Sequence, residues 1–543
     1  MWNTLVRLPA ILRSWIAPNL NLFLSFKLPL IWLLAIIIGA VTAVAAIVFR
    51  LAIGLFQWPW LHTMGEHVAS AAAEQPWWVV ILAPTVGGAI VGYLLVRFQP
   101  GRRALGVADV IEARIKGARG LGLGPGLSSA LITTISLGSG ASAGREGPMV
   151  HLGATLGTAI CGIFRLPDTS RKIILACGVA SAVSASFNAP IAGVLFAHEV
   201  VLGHYAMSAF VPIVLSSTMG AIISRLWFGD VAAFVIPQYE ITSYWEIPAF
   251  ALLGLICAAV AICFQFAVIS TDWAARNIEM PLWLRPIIGG LLVGSIAVFF
   301  PEVLGVGYET TDQALKHQLA IEVLLILLVV KTAATAITLA SRFGGGVFTP
   351  SLYLGAMAGG AFGLIAASIF PDMASSHGLY AILGMGAVAA AVLGAPISTT
   401  MIVFELTGGY GLSIALLITV SIATGLTLAV HGRSFFQWQL ESRGYIMQDG
   451  AHRWLVRTVH VSNFMRPIED TEPSHIAPDD DCPRLRQSDT LEAALRLFDS
   501  AGEERLPVVS DTDEYQVVGW ASHVHALSNF NKALIDANVE EHR

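Results

Sequence analysis

Six stretches of this chain hold no Asp, Glu, Lys or Arg: residues 28–49, 75–96, 121–144, 247–271, 343–371 and 378–404. A helix needs about 20 apolar residues to cross the hydrocarbon of a bilayer, and each stretch is that long. Charged residues make up 13% of the 543, where a soluble chain carries about a quarter. The fold class that follows is an all-α polytopic membrane protein. A β-barrel would show short alternating segments instead.

Basic residues bunch at the N-terminus, at 97–119 and at 433–457. The positive-inside rule puts these segments, and both termini, on the cytoplasmic side. Residues 1–27 lack the pattern of a cleavable signal, and 5–16 could lie amphipathically on the membrane surface. The lack of a targeting peptide and the short tail point to a bacterial inner membrane. Five cysteines, four in apolar segments and Cys482 in the polar tail, do not suggest a disulfide framework. The domains read as an N-terminal segment 1–27, a membrane domain 28–441, a linker 442–460 and a cytoplasmic module 461–543.

The membrane domain repeats itself. GREGPMVHLGATLG at 144–157 and GVFTPSLYLGAMAG at 346–359 share Gly, Pro, Leu, Gly, Ala and Gly at a constant offset. Downstream, Gly178/Gly384, Ala185/Ala391, Ala189/Ala395, Pro190/Pro396, Ile191/Ile397 and Glu199/Glu405 match in the same order. The repeats run over about 75–225 and 285–432. Two homologous halves with Gly/Pro interruptions are the signature of transporters built on broken helices that meet near the midplane. Free backbone is tolerated there only where it lines a cavity or is buried in protein. Pro148 and Pro350 suit first helical turns, behind Gly-rich loops. Such helix starts carry partial positive charge and predict an anion site.

Gly144-Arg145-Glu146-Gly147-Pro148 resembles the G-[KR]-E-G-P motif of the CLC chloride-channel family, and Gly346-Val347-Phe348-Thr349-Pro350 resembles its G-x-F-x-P motif. The likeness covers roughly 28–441 in order. It implies about 18 helices in two inverted repeats and a homodimer in lipid with one pore per subunit. The implied cargo is chloride or a similar small anion, with protons as a second partner in the exchangers; no nucleic-acid partner is expected. It also implies that Gly144, Arg145, Gly147, Pro148 and residues 346–349 surround the anion.

Glu146 is the first candidate for function. It lies between uncharged stretches of 24 and 18 residues. An ionised group at such depth costs at least a few kcal/mol and is functional by default. The resemblance makes it the gate: a carboxylate that competes with anions and swings aside when protonated. The bland reading is that it only pairs with Arg145, although neighbours on a helix do not face each other. For Phe348 the bland reading is packing. His151 and His198 read as packing histidines.

Three positions depart from the family pattern. The motif that supplies a polar ligand aligns with Leu105-Gly106-Val107, and Leu105 has no side-chain donor. The tyrosine on the intracellular side aligns with Phe436, or with Phe435. The glutamate that feeds protons in many exchangers is Val200, directly after Glu199. These changes favour passive or loosely coupled conduction over strict proton exchange, with Glu199 or Glu112 as substitute acids if exchange holds. The intact G-x-F-x-P pattern argues against fluoride specialisation.

In the tail, 468–485 reads as an acidic, Pro-rich loop. Asp489 reads as the cap of a helix to about 501, followed by strands at 506–509 and 517–520. This order resembles a single CBS-like α+β domain entered at Val461–Met465. The acidic residue that contacts nucleotide ribose in binding members falls near His525. Adenine-nucleotide binding and a purely structural module both stay open; no other cofactor is expected. The run GLGLGPG at 120–126 has no following Lys-Ser/Thr, so it reads as a linker rather than a phosphate loop. No HExxH, nucleophile elbow or Cys/His metal cluster occurs in the membrane segments, so an enzyme is not expected.

Overall fold

The computed structural model describes residues 16–17, 20–21, 28–118, 120–229, 241, 243–371, 374–407, 411–445, 459–468, 473, 475 and 482–531. The surface segment 5–16, most of the linker and most of the acidic loop lie outside the described residues. The chain divides into two units, Met1–Gln439 and Leu440–Arg543.

The membrane unit is helical. Its first half runs α1 (Leu28–Leu61), α2 (Val68–Ala73), α3 (Trp77–Phe98), α4 (Val107–Ile115), α5 (Leu123–Gly138), α6 (Glu146–Phe164), α7 (Asp168–Phe187), α8 (Pro190–Phe196) and α9 (Met207–Phe228). Its second half runs α10 (Ile247–Asn277), α11 (Leu284–Phe299), α12 (Tyr308–Leu315), α13 (Ile321–Ala340), α14 (Phe348–Ile369), α15 (His377–Leu393), α16 (Pro396–Thr407), α17 (Ser413–His431) and α18 (Phe435–Glu441). Nine helices among the described residues are long and apolar enough to cross a membrane.

Two charge-free stretches do not form single spans. Residues 378–404 break at Gly394, whose φ of 68° ends α15, and Pro396 then opens α16. Gly takes the left-handed conformation without a Cβ clash, and Pro suits a helix start. The stretch 121–144 yields only α5, and 139–145 has no helix. The glycine run at 120–126 is not all linker either, because α5 begins at Leu123. A Cβ on Gly126 would lie 2.6 Å from Thr155 Cγ2, so that glycine serves close packing.

The repeated glycines have a common cause. A Cβ on Gly153 would lie 2.4 Å from the Gly178 carbonyl oxygen, and one on Gly355 would lie 2.2 Å from that of Gly384. One turn on, Gly157 meets the carbonyl of Ile174 at 2.8 Å, and Gly359 that of Tyr380 at 2.1 Å. Thus α6 packs on α7 as α14 packs on α15, backbone against backbone. Small residues four apart are how membrane helices approach this closely. The five cysteines are free thiols.

The second unit holds a four-stranded sheet of β1 (Arg466–Pro467), β2 (Leu485–Arg486), β3 (Arg505–Val509) and β4 (Val517–Ser522), in the order β1-β4-β3-β2. Strands β3 and β4 pair antiparallel, and β2 runs parallel to β3. Between β2 and β3 lies α19 (Leu491–Ala501), whose Leu491, Ala494 and Phe498 are buried against Leu506 and Val508. Its cap is Thr490, which accepts the Ala493 N–H at 3.2 Å. Asp489 lies one residue too early for that role and accepts the Arg486 N–H instead. A further helix follows β4 at 523–531.

Candidate functional site

The two halves meet at matched glycines. Gly144 and Gly346 form an antiparallel bridge, each N–H donating to the other's carbonyl at 2.8 Å. Such reciprocity is what an approximate two-fold axis between the repeats produces. Two residues beyond each glycine a helix begins, α6 at Glu146 and α14 at Phe348. Pro148 and Pro350 are the third residues of these helices, where the missing N–H has no intrahelical partner to lose. Two helix starts with their partial positive charge are therefore brought together.

The Glu146 side chain occupies this junction. It is 2% exposed. The Thr349 hydroxyl, from the first turn of α14, donates to Oε2. The Tyr308 hydroxyl, at the start of α12, donates to Oε1 at 3.3 Å. Oε2 also lies 2.8 Å from where a Cβ of Gly144 would stand, so a side chain there would press on the carboxylate. The entry to α12 is held by Lys331, fully buried in α13, which donates to the carbonyls of Val303 and Gly305 at 2.9 and 3.0 Å.

Arg145 corrects the expectation drawn from helical spacing. It precedes α6 as its cap, so the rule for helix neighbours does not govern it. Its Nε lies 3.8 Å from Glu146 Oε1. Its main partner is Glu66, reached by Nη1 at 2.7 Å, and its guanidinium lies 4.9 Å above the Tyr308 ring.

The other motif residues fall around the same place. A Cβ on Gly147 would stand 3.5 Å from Gly346 Cα and 4.0 Å from Val107 Cγ2. Val347 is the cap of α14 and is buried. Gly106 donates its N–H to Asp109 at 2.9 Å, and Asp109 is gripped by Arg103. Leu105 donates its N–H to the Ser129 hydroxyl of α5 at 2.8 Å. Phe348 packs between Phe187 and Phe196, with ring centroids 5.0 and 6.3 Å away. Phe436 is buried at the start of α18, its ring 6.2 Å from that of Phe435.

The acids considered for the proton path, Glu199 and Glu112, each have partners in the structure. Glu199 accepts the N–H groups of Ile397 and Ser398 at 3.0 and 2.7 Å and the Ser398 hydroxyl at 2.6 Å. Its repeat counterpart Glu405 accepts those of Ile191 and Ala192 at 3.0 and 2.7 Å. Each half's glutamate thus closes the start of the other half's short helix, α16 or α8, where orphan N–H groups need an acceptor. Val200 lies in the π-helical turn Ala197–Leu202 that follows α8. Glu112 pairs with Lys116 at 2.7 Å. His151 is buried within α6, and His198 stacks on Tyr205 at 5.6 Å.

Tyr308, Lys331, Ser129 and Glu66 are not evident as site residues from the sequence. Each meets its partner across 24 to 162 residues of chain or through backbone carbonyls, and none sits in a repeated motif. The Gly305-Val306-Gly307 run before Tyr308 was the available signal, because Gly307, at φ 92°, is the cap of α12.

Comparison with known proteins converges on one family. The model described as voltage gated chloride channel matches residues 87–428. The chain is 33% identical over 389 residues to a putative chloride channel protein ClcB-like of Ralstonia nicotianae, covering 70% of this chain and 90% of that one. It is 32% identical over 423 residues to the H(+)/Cl(-) exchange transporter ClcA of Cronobacter sakazakii, covering 76% and 89%. Among solved structures, a slow cyanobacterial Cl-/H+ antiporter superposes with a TM-score of 0.67 at 23% identity, over 76% of this chain and 97% of that one. With the bridged helix starts and the buried glutamate between them, these matches establish that the chain belongs to the CLC family of voltage gated chloride channels and anion transporters.

Proposed function

We propose that the chain carries chloride or a similar small anion along a path that Glu146 closes, and that anion flow is not tied to protons in a fixed ratio. The observation that carries the first part is the Glu146 carboxylate between two helix starts, held by the hydroxyls of Thr349 and Tyr308. A carboxylate there takes the place an anion would take, and protonation would release it. The second part draws on Leu105, Phe436 and Val200, which lack the polar groups of the family pattern, and on the prior engagement of Glu199 and Glu112.

Proton-coupled exchange is the second reading, and the relatives named as exchangers support it no less than the channel relatives support conduction. Chloride efflux from liposomes, with internal pH recorded together, separates the two. Uncoupled conduction gives chloride flux without proton movement against a gradient. Protons driven uphill by chloride would establish exchange and refute the uncoupled reading.

We also read the second unit as a single CBS-like module, on its strand–helix–strand–strand–helix order. If it senses adenine nucleotide, ATP will raise the melting temperature of the full chain. An unchanged melting curve at saturating ATP leaves it a structural module.

A further inference from the structure

A second place for an anion lies beside the Glu146 site. A cavity of about 200 Å³ is lined by Arg50, Gln57, Met64, Glu66, Arg145 and Tyr308, among others. It opens near the C-terminal end of α1, since Glu66 follows that helix by five residues. Two guanidiniums reach into it and share one oxygen. Glu66 Oε1 lies 3.0 Å from Arg50 Nη2 and 2.7 Å from Arg145 Nη1.

The arrangement has three features that suit an anion. First, both cations are held in place independently of Glu66. Arg50 lies over the Phe228 ring at 4.2 Å and Arg145 over the Tyr308 ring at 4.9 Å. Second, their shared partner comes from the connection between α1 and α2, where residues 63–67 are bend and coil rather than helix or strand. Third, Glu66 is half-open to solvent, with a side-chain exposure of 39%, whereas Arg145 is buried at 11%. Burial pushes the Glu66 carboxyl up, but the guanidiniums of Arg145 and Arg50 outweigh it and hold that carboxyl below its ordinary value. It therefore stays charged and competes with dissolved anions at neutral pH.

We propose that the cavity between Arg50 and Arg145 is a halide-binding site from which an incoming anion displaces the Glu66 carboxylate, one step before the anion meets Glu146. This rests on the reading of Glu146 as the carboxylate that closes the path. Arg145 joins the two steps, because it touches Glu66 at 2.7 Å and Glu146 at 3.8 Å. The chain would then hold two carboxylates in series, each standing where an anion can stand. Arg50 and Glu66 are both more than a third exposed, which makes that pair weak, and the buried Arg145 is not left uncompensated because the arriving halide takes the place that Glu66 leaves.

The test is the chloride dependence of efflux from liposomes containing the full chain. Removing the competitor by Glu66→Gln lowers the half-saturating chloride concentration about three- to tenfold, the range expected for loss of a partly exposed, doubly paired carboxylate. Arg50→Gln raises it, and the double substitution lies above the wild type. Half-saturation unchanged in both single variants, or raised in Glu66→Gln, overturns the proposal. A second readout does not need transport: bromide should protect detergent-solubilised Glu66→Gln against thermal unfolding at lower concentration than it protects the wild type. Equal protection of the two overturns the proposal as well. Glu146→Ala keeps the premises apart. If it leaves efflux unchanged at every pH, the reading of Glu146 fails; if it alters efflux while the Glu66 and Arg50 variants do not shift half-saturation, only the outer site fails.

Discussion

Glu146→Ala should open the anion path at neutral pH and abolish the response of chloride efflux to acid. The carboxylate lies at the positive ends of α6 and α14 and is held by two hydroxyl donors, Thr349 of α14 and Tyr308 of α12. Hydrogen bonds to a charged group are worth about 1.5–3 kcal/mol, so removing this tether should raise neutral-pH flux roughly ten- to a hundredfold. Wild-type efflux should climb as pH falls, because a protonated carboxyl no longer competes as an anion. Thr349→Val and Tyr308→Phe each remove one donor and should move flux several-fold in the same direction while keeping the acid response. A chloride electrode and a pH series on liposomes provide the measurement. Wild-type and Glu146→Ala curves that coincide at every pH would remove Glu146 from the transport path.

The second large effect concerns folding. Gly355→Ala places a methyl group 2.2 Å from the Gly384 carbonyl oxygen, and neither backbone can yield without separating α14 from α15. Overpacking of a tight interior costs about 1–3 kcal/mol, and here the contact is backbone on backbone in the most buried helix pair. Gly355→Leu should abolish the monodisperse peak in detergent chromatography, and Gly355→Ala should lower the melting temperature clearly. Gly360→Ala is the control. Its nearest neighbour is Leu324 Cδ1 at 3.4 Å, an ordinary contact, and alanine favours the helix. A Gly355→Ala protein as stable as Gly360→Ala would contradict the packing account.

Much of this molecule was legible in its sequence, and the reasons are local. Charge-free stretches of helical length announced the bilayer. The matched Gly144/Gly346 and Pro148/Pro350 located the two helix starts, because their geometry depends on those residue types wherever they occur. The depth of Glu146 in uncharged sequence marked it before any contact was known. Less legible was the break of 378–404 into α15 and α16, although Gly394 and Pro396 both lie in it, since hydropathy counts length and not backbone shape.

The sequence by itself determined the class of protein, the two-fold repeat and the place of the buried carboxylate Glu146, because hydropathy, glycine and proline act through the chain's own backbone. Only the tertiary structure decided what holds that carboxylate and what its neighbours do. Tyr308 reaches Glu146 across 162 residues, Glu66 reaches Arg145 across 79, and Glu199 closes a helix of the opposite repeat. Such pairings depend on where separate helices come to rest against one another. That is set by close packing summed over the whole membrane unit, which no short stretch of residues encodes.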